Sequence, residues 1–418
     1  CLPLYRSTVT EDPFPQSAVA LSTCIDTSND WSSVMVDAEA VVRRLMARVV
    51  AERGLPLPVE VRALSSGGGN YTSALFAASA GDFKVFAKVA IIGEKMRKAM
   101  NADMLFKTEQ IVYFELVNTY NGLMGKHAIS TLFRFPNIYA SLPDLGSESL
   151  LMEDLSAQGY QVPSRHEPIS WRFASAAVTK LAAFHALSFA YEKENPEEFA
   201  AMACTLKYQP HNQKPENEEV MKATWGAMIK GAVEVVKDEH RPKLQKLLED
   251  IDGFTKFKTP ISKTVLAHGD YRASNLMFKE QDDSMDVMVV DYQTVHAGSP
   301  VSDLLYFIFL GTDQEFRRTS YQDLLVVYHR ELSVALDSLG LDVEEVYPEE
   351  VFKKEVKQVL PYALQMSVVL LPIVMVDEAA APQVSGDADL ERFALKPNEL
   401  FAERFSALVE DCVTWGVI

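Results

Sequence analysis

The spacing of apolar residues changes several times along this chain, and each change marks an element. Residues 1 to about 30 show no period and are rich in Ser, Thr, Pro and Asp, which predicts a loose or draped tail. Asp37 to Glu52 repeats its apolar residues at helical spacing and is stopped by Gly54, predicting an amphipathic helix. From Val59 to Ala90 the pattern shortens to β-type runs at Val59–Leu64, Ala74–Ala77 and Phe83–Val89. A helix from about Met104 to Tyr120 follows, then two more strand-like runs, Thr131–Phe135 and Leu150–Glu153. Strands, one helix, then strands again make a small α+β lobe.

After Glu153 the period becomes helical. Ser170 is placed to cap a long helix reaching Phe189 or beyond, with Ala174, Ala177, Val178, Leu181, Phe184 and Leu187 on one apolar stripe. Residues 195 to 260 read as helical and charge-rich, with a polar loop near His211–Pro215. Two short strands flank a stretch around His268, and beyond Asp303 the chain is mainly helical to its end. The predicted organisation is a tail over residues 1–30, a β-rich lobe over 31–153 and a larger helical lobe over 154–418. The longest apolar run, Val368–Val376, is about half of the ~20 residues a membrane helix needs and contains Pro372. It predicts a buried helix segment and no membrane span.

Composition narrows the functional classes. The 418 residues are 48% apolar and 23% charged, the balance of an ordinary globular protein. The net charge of −18 disfavours nucleic-acid or anionic-membrane partners, while leaving room for a local basic pocket. Cys1, Cys24, Cys204 and Cys412 form no CxxC pair and no zinc spacing, so they read as reduced thiols in the cytoplasm. No signal peptide is predicted, and nothing points to an obligate protein partner.

The chemistry concentrates in His268-Gly269-Asp270-Tyr271-Arg272-Ala273-Ser274-Asn275, followed by Val289-Val290-Asp291-Tyr292-Gln293. His-x-Asp-x-x-x-x-Asn and then an apolar run ending in Asp is what phosphoryl transfer from ATP needs. Asp270 is the candidate to orient and deprotonate an attacking hydroxyl. Asn275 and Asp291 are the candidate ligands of Mg²⁺, an ion that takes oxygen donors and leaves room for phosphate oxygens. His268 reads as a scaffold residue. Arg272 is placed to neutralise the transferring phosphoryl group or to make an ordinary salt bridge. Asp303 reads as a helix-capping and loop-bracing carboxylate, and His185 as a satisfied core histidine.

The small lobe supplies candidates for the nucleotide. Gly67, Gly68, Gly69 and Asn70 lie between two predicted strands, where backbone N–H groups can approach phosphates. Lys88 sits inside an apolar strand, where it needs partners: phosphate oxygens on one side and a helix glutamate, Glu109 or Glu115, on the other. Glu153 and Leu155, in the connector between lobes, are placed to offer backbone groups to an adenine edge.

Taken in order, the Gly-rich Asn-Tyr-x-Ser loop, strand lysine, helix glutamate, Glu-Asp-Leu connector, Leu-x-x-x-His-Ala helix, His-Gly-Asp-x-x-x-x-Asn and Asp-Tyr-Gln resemble the ecdysteroid kinase-like (CHK-type) family over roughly residues 55 to 380. That family is related to choline kinases and aminoglycoside phosphotransferases. The resemblance implies a two-lobed protein-kinase-like fold, ATP with Mg²⁺, and a small-molecule hydroxyl as acceptor, in known cases that of an ecdysteroid. It implies Asp270 as base, Asn275 and Asp291 as metal ligands, and Lys88 as the phosphate-binding lysine. The chain departs from the family at Arg272, where an aromatic residue is common. A protein kinase is disfavoured: Gly269 stands where an Arg is expected, and no Ala-Pro-Glu element follows Asp291. The rival readings are a choline, ethanolamine or aminoglycoside phosphotransferase, and a ligand-binding pseudokinase.

Overall fold

A computed structural model describes residues 37–65, 72–93, 97–98, 101–164, 166–208, 215–250, 252–282, 284–377 and 398–418. The expected tail, the Gly67–Asn70 loop and the polar loop at His211–Lys214 lie outside the described residues.

The small lobe begins with the helix Ala38–Arg53. The Asp37 side chain accepts from the Ala40 N–H at its start, and Gly54 ends it at φ +63°. Val41, Val42, Leu45, Met46, Val49 and Val50 form its buried stripe. They pack on one face of an antiparallel sheet with strand order β1-β2-β3-β5-β4. The strands are β1 Glu60–Leu64, β2 Ser73–Ala80, β3 Phe83–Ala90, β4 Ile138–Leu142 and β5 Ser149–Glu153. Alternation along β3 turns Val85, Ala87 and Val89 to the helix and leaves Lys88 on the other face, paired in register with Leu150 of β5. That second face is covered by a helical run, Ala102–Ile111, a π-turn Val112–Leu116 and Val117–Lys126.

One expected strand is not formed. Thr131–Phe135 joins no ladder: Thr131 and Leu132 form a bend, the residues after them have no regular structure, and the edge strand is β4, just beyond. Phe133 and Phe135 both turn inward, edge to face at 4.8 Å, against Phe184 of the large lobe. Their alternation reflects burial of two rings from an irregular segment, and Pro136 has no N–H to give a ladder.

The large lobe is built around the helix Trp171–Glu194, whose cap Ser170 accepts from the Phe173 N–H. Two small hairpins lie beside it: β6 Val265–Ala267 pairs with β9 His296–Gly298, and β7 Leu276–Gln281 pairs with β8 Ser284–Val289. The loop β6–β7 carries residues 268–275, and the loop β8–β9 carries Asp291. Behind them runs the helix Pro300–Gly311, buried at every residue from Pro300 to Leu310. The helices Gln314–Ser338, Glu349–Met375 and Glu399–Thr414 complete the lobe. Trp171–Glu194 and Glu349–Met375 are long and apolar enough to cross a bilayer by length and composition, but 78% and 67% of their apolar windows lie inside the protein. The run Val368–Val376 falls at the end of the second of these. Cys204 and Cys412 are free thiols.

The chain therefore has a two-lobed, protein-kinase-like α+β fold: a five-stranded antiparallel sheet with its helices, then a mostly helical lobe that carries two small hairpins.

Candidate active site

The loop after β6 is held from behind by one carboxylate. Asp303, in the first turn of Pro300–Gly311, accepts from the His268 N–H at 2.6 Å and the Gly269 N–H at 2.8 Å. It also accepts from His185 Nε2 at 3.2 Å, and His185 Nδ1 meets the Tyr328 hydroxyl at 2.8 Å. Burial pushes the Asp303 carboxyl up, yet His185, His268 and the Gly269 N–H outweigh it and hold it at about 2. His268 donates from Nε2 to the Val290 carbonyl at 3.1 Å and accepts the Asp270 N–H on Nδ1 at 3.3 Å. Both nitrogens are thus used in fixing the loop, and burial lowers the His268 pKa. Gly269 is required here: its φ is +82°, and a Cβ would stand 2.3 Å from the Thr294 carbonyl oxygen.

This bracing presents Asp270 with its side chain 16% exposed. Oδ1 accepts from the Tyr306 hydroxyl at 2.5 Å, and Oδ2 from Asn275 Nδ2 at 2.9 Å. Arg272 Nε bridges the carboxylate at 3.1 to 3.2 Å. Burial raises the Asp270 pKa, but Arg272, Tyr306, His268 and Lys258 outweigh it, so the group lies below the usual carboxylate range and is ionised at neutral pH. Asn275 spends its amide nitrogen on Asp270, which leaves the amide oxygen as the end able to face a cation.

Asp291 follows β8 in a left-handed conformation, φ +67°. The Val290 N–H donates to the Asn275 carbonyl at 3.0 Å, so the two segments run side by side where Asp291 begins its turn. Asp291 Oδ1 lies 2.7 Å from Lys88 Nζ. The same ammonium reaches Glu109 Oε2 at 3.0 Å and Gln293 Oε1 at 3.3 Å. Burial works against the charged Lys88, but Asp291 and Glu109 outweigh it and its pKa rises. Burial pushes the Glu109 carboxyl up against the pull of Lys88. Glu115, the other glutamate considered, is exposed.

Glu153 and Leu155 stand in the connector, apart from this cluster. The Glu153 carboxylate accepts from Arg134, Asn137 and Gln158, and its N–H donates to the Asn137 carbonyl. Leu155 is buried, with its carbonyl accepting from the Gln158 and Tyr160 N–H groups. Neither residue joins the polar cluster of Lys88, Asp270 and Asp291.

Sequence reasoning missed two members of this constellation and gave no role to a third. Tyr306 sits in an apolar run, and its only signal is its place three residues after Asp303 on the same helix side. Lys258 ends the short helix Gly253–Lys258 and donates to the Gly269 carbonyl; nothing in the pattern around it marks it. Gln293 closes the Asp-Tyr-Gln motif and turns its amide oxygen to Lys88.

Among the described residues, no three His, Cys, Asp or Glu side chains converge as a metal cluster. One carboxylate and one amide oxygen, on adjacent segments, fit a hard cation that takes its remaining ligands from water and phosphate. Hard oxygen donors, an ionised Asp on a braced loop and a lysine clamped between two carboxylates lie together in this kinase-like fold. A model of the ecdysteroid kinase-like family matches residues 67–341, and the chain belongs to that family. No curated protein matches it. Among solved structures it is similar to a Plasmodium vivax ethanolamine kinase, at 10% identity and TM-score 0.46, covering 94% of this chain and 98% of that one. It is similar to a spectinomycin phosphotransferase in complex with ADP and spectinomycin, at 11% identity and TM-score 0.43, covering 87% and 98%. A microcompartment-associated aminopropanol kinase gives 9% identity and TM-score 0.43, covering 88% and 98%.

Proposed function

We propose that this protein is an ATP- and Mg²⁺-dependent small-molecule kinase that transfers the γ-phosphoryl group to an alcohol. The observation that carries this reading is that the Lys88 ammonium lies within 3.0 Å of carboxylate oxygens of both Glu109 and Asp291, from three elements, while the residue before Asp291 is hydrogen-bonded to Asn275, whose amide holds Asp270. The two lobes divide after Glu153.

Each residue then has a role. Asp270 accepts the hydrogen bond of the acceptor hydroxyl and takes its proton as the new P–O bond forms. Its lowered pKa suits a loose transition state, in which aim matters more than base strength. Asn275 and Asp291 would hold the cation through an amide and a carboxylate oxygen, and Lys88, kept charged by its two carboxylates, would bind phosphate oxygens. When bound, Mg²⁺ supplies charge neutralisation on the phosphate oxygens. Arg272, beside Asp270, offsets charge on the group in transit. Gly67, Gly68, Gly69 and Asn70 cover the phosphates with backbone N–H groups, and the connector at Glu153 and Leu155, whose Glu153 N–H and Leu155 carbonyl are already hydrogen-bonded within the protein, offers the base its remaining backbone groups. The acceptor we favour is an ecdysteroid or similar lipophilic alcohol, in line with the family.

The test is ADP release from Mg·ATP with ecdysteroids, choline, ethanolamine and an aminoglycoside offered in turn. Turnover with one class, reduced by ~10² or more in Asp270→Asn, supports the reading and names the acceptor class. ADP release that Asp270→Asn retains, or Mg·ATP binding without turnover of any acceptor, counts against it.

A further inference from the structure

The loop carrying Asp270 rests on a buried lysine that the proposed transfer does not use. Lys258 is 6% exposed, and its ammonium donates to the carbonyl of Gly269, the residue before Asp270. It lies 5.1 Å from the ring centroid of Tyr306, whose hydroxyl donates to Asp270 Oδ1. Burial lowers the Lys258 pKa, and the nearby Asp303 and Asp270 pull the other way.

A lysine in this position needs a reason. An ammonium has three hydrogens to place, and burying it is costly unless they are met. An apolar side chain of similar length would fill the space without that cost. What Lys258 adds is a fixed point. The Gly269 N–H is held by Asp303, and its carbonyl by Lys258, so both ends of a residue at φ +82° are pinned by charged groups. Asp270 projects from the next position, with Oδ1 held by Tyr306 and Oδ2 by Asn275. We infer that Lys258 and Tyr306 are positioning residues acting as one clamp: Lys258 fixes the peptide from which Asp270 projects, and Tyr306 fixes the plane of its carboxylate.

The inference rests on the phosphoryl-transfer reading, and its test separates the two. Lys258→Met, Tyr306→Phe and the double variant are made in the full chain. Each is measured for kcat and KM for ATP, for amide hydrogen exchange across residues 268–275, and for its denaturation midpoint. The clamp predicts a kcat loss of at least ~10-fold in each single variant with KM for ATP within about twofold. The double variant falls no more than about threefold below the worse single one, because both act through one carboxylate. Exchange in 268–275 rises at least ~10-fold while the helix Trp171–Glu194 keeps its protection, with any fall in the Lys258→Met midpoint limited to about 1–3 kcal/mol, the cost of leaving the Gly269 carbonyl unmet. Unchanged kcat with unchanged loop exchange overturns the clamp. So does a lowered midpoint with exchange raised throughout, which would make Lys258 a general structural residue. If Lys258→Met does not fold, Tyr306→Phe decides by the same kcat and exchange criteria. If the wild type turns over no acceptor, the kinase reading fails, and loop exchange alone decides the clamp.

Discussion

Asp303 offers the sharpest test of how the site is held. Its two oxygens take the His268 N–H, the Gly269 N–H and His185 Nε2. Asparagine keeps the shape but replaces one oxygen with an NH₂ group, so at least one donor meets another donor. Losing a hydrogen bond to a charged acceptor in a buried site costs about 1.5–3 kcal/mol. The carboxyl pKa gives a second route to the magnitude: a fall from 3.8 to about 2 corresponds to about 2 kcal/mol of preference for the ionised form. Asp303→Asn is therefore expected to lose about 2–4 kcal/mol of stability at neutral pH, together with most turnover. The sign follows from the depressed folded-state pKa. This contribution is complete above the unfolded value near 3.8 and disappears as pH falls through about 2. At pH 3 roughly 1 kcal/mol of it is gone, so the gap between wild type and variant narrows by that amount. Denaturant titrations followed by tryptophan fluorescence at pH 7 and pH 3 measure both quantities. An asparagine variant within about 0.5 kcal/mol of wild type at pH 7, or a gap that does not narrow at pH 3, would refute the reasoning.

Three further outcomes are expected. Gly269→Ala places a methyl 2.3 Å from the Thr294 carbonyl oxygen at a left-handed φ, and should cost roughly 3 kcal/mol or more; an unchanged unfolding midpoint would contradict this. His296 is buried and its pKa is pushed down to about 4 by burial and then by Lys258, so the folded state resists its protonation and stability falls as pH drops from about 6.5 to about 4. An NMR titration should find its ring uncharged at pH 5.5, and an inflection near 6.5 would sink the idea. Lys88→Met strands Glu109 and Asp291 as unpaired carboxylates and removes the phosphate contact, so ATP should bind at least ~10-fold more weakly by calorimetry while the midpoint also drops; wild-type affinity would argue against a phosphate role.

Local rules carry much of this fold. Asp37, Gly54 and Ser170 mark helix ends because capping is a contact within a few residues, and the β3 alternation sets which face Lys88 takes before any partner is known. Contacts between distant segments are less legible. Glu109 and Glu115 are six residues apart, on different sides of the helix, and only the docking of that helix on the sheet selects Glu109, leaving Glu115 exposed. Phe133 and Phe135 imitate a strand because two rings entering a core two residues apart from an irregular segment have the same period as a ladder. Lys258 and Tyr306 carry no mark in sequence, since their meaning lies in a loop 11 and 36 residues away.

Lys88 belongs to the small lobe and Asp291 to the large one, so their 2.7 Å contact ties the lobes together. On the proposed reading, these are also the two side chains that nucleotide and cation recruit. Loading the cleft then exchanges a bond the protein already has for a new one, and the affinity observed is only the difference. The same exchange runs backwards when the spent nucleotide leaves, with the lysine returning to its carboxylate. A cleft of this kind trades grip for turnover: departure of ADP is assisted by a contact waiting to re-form.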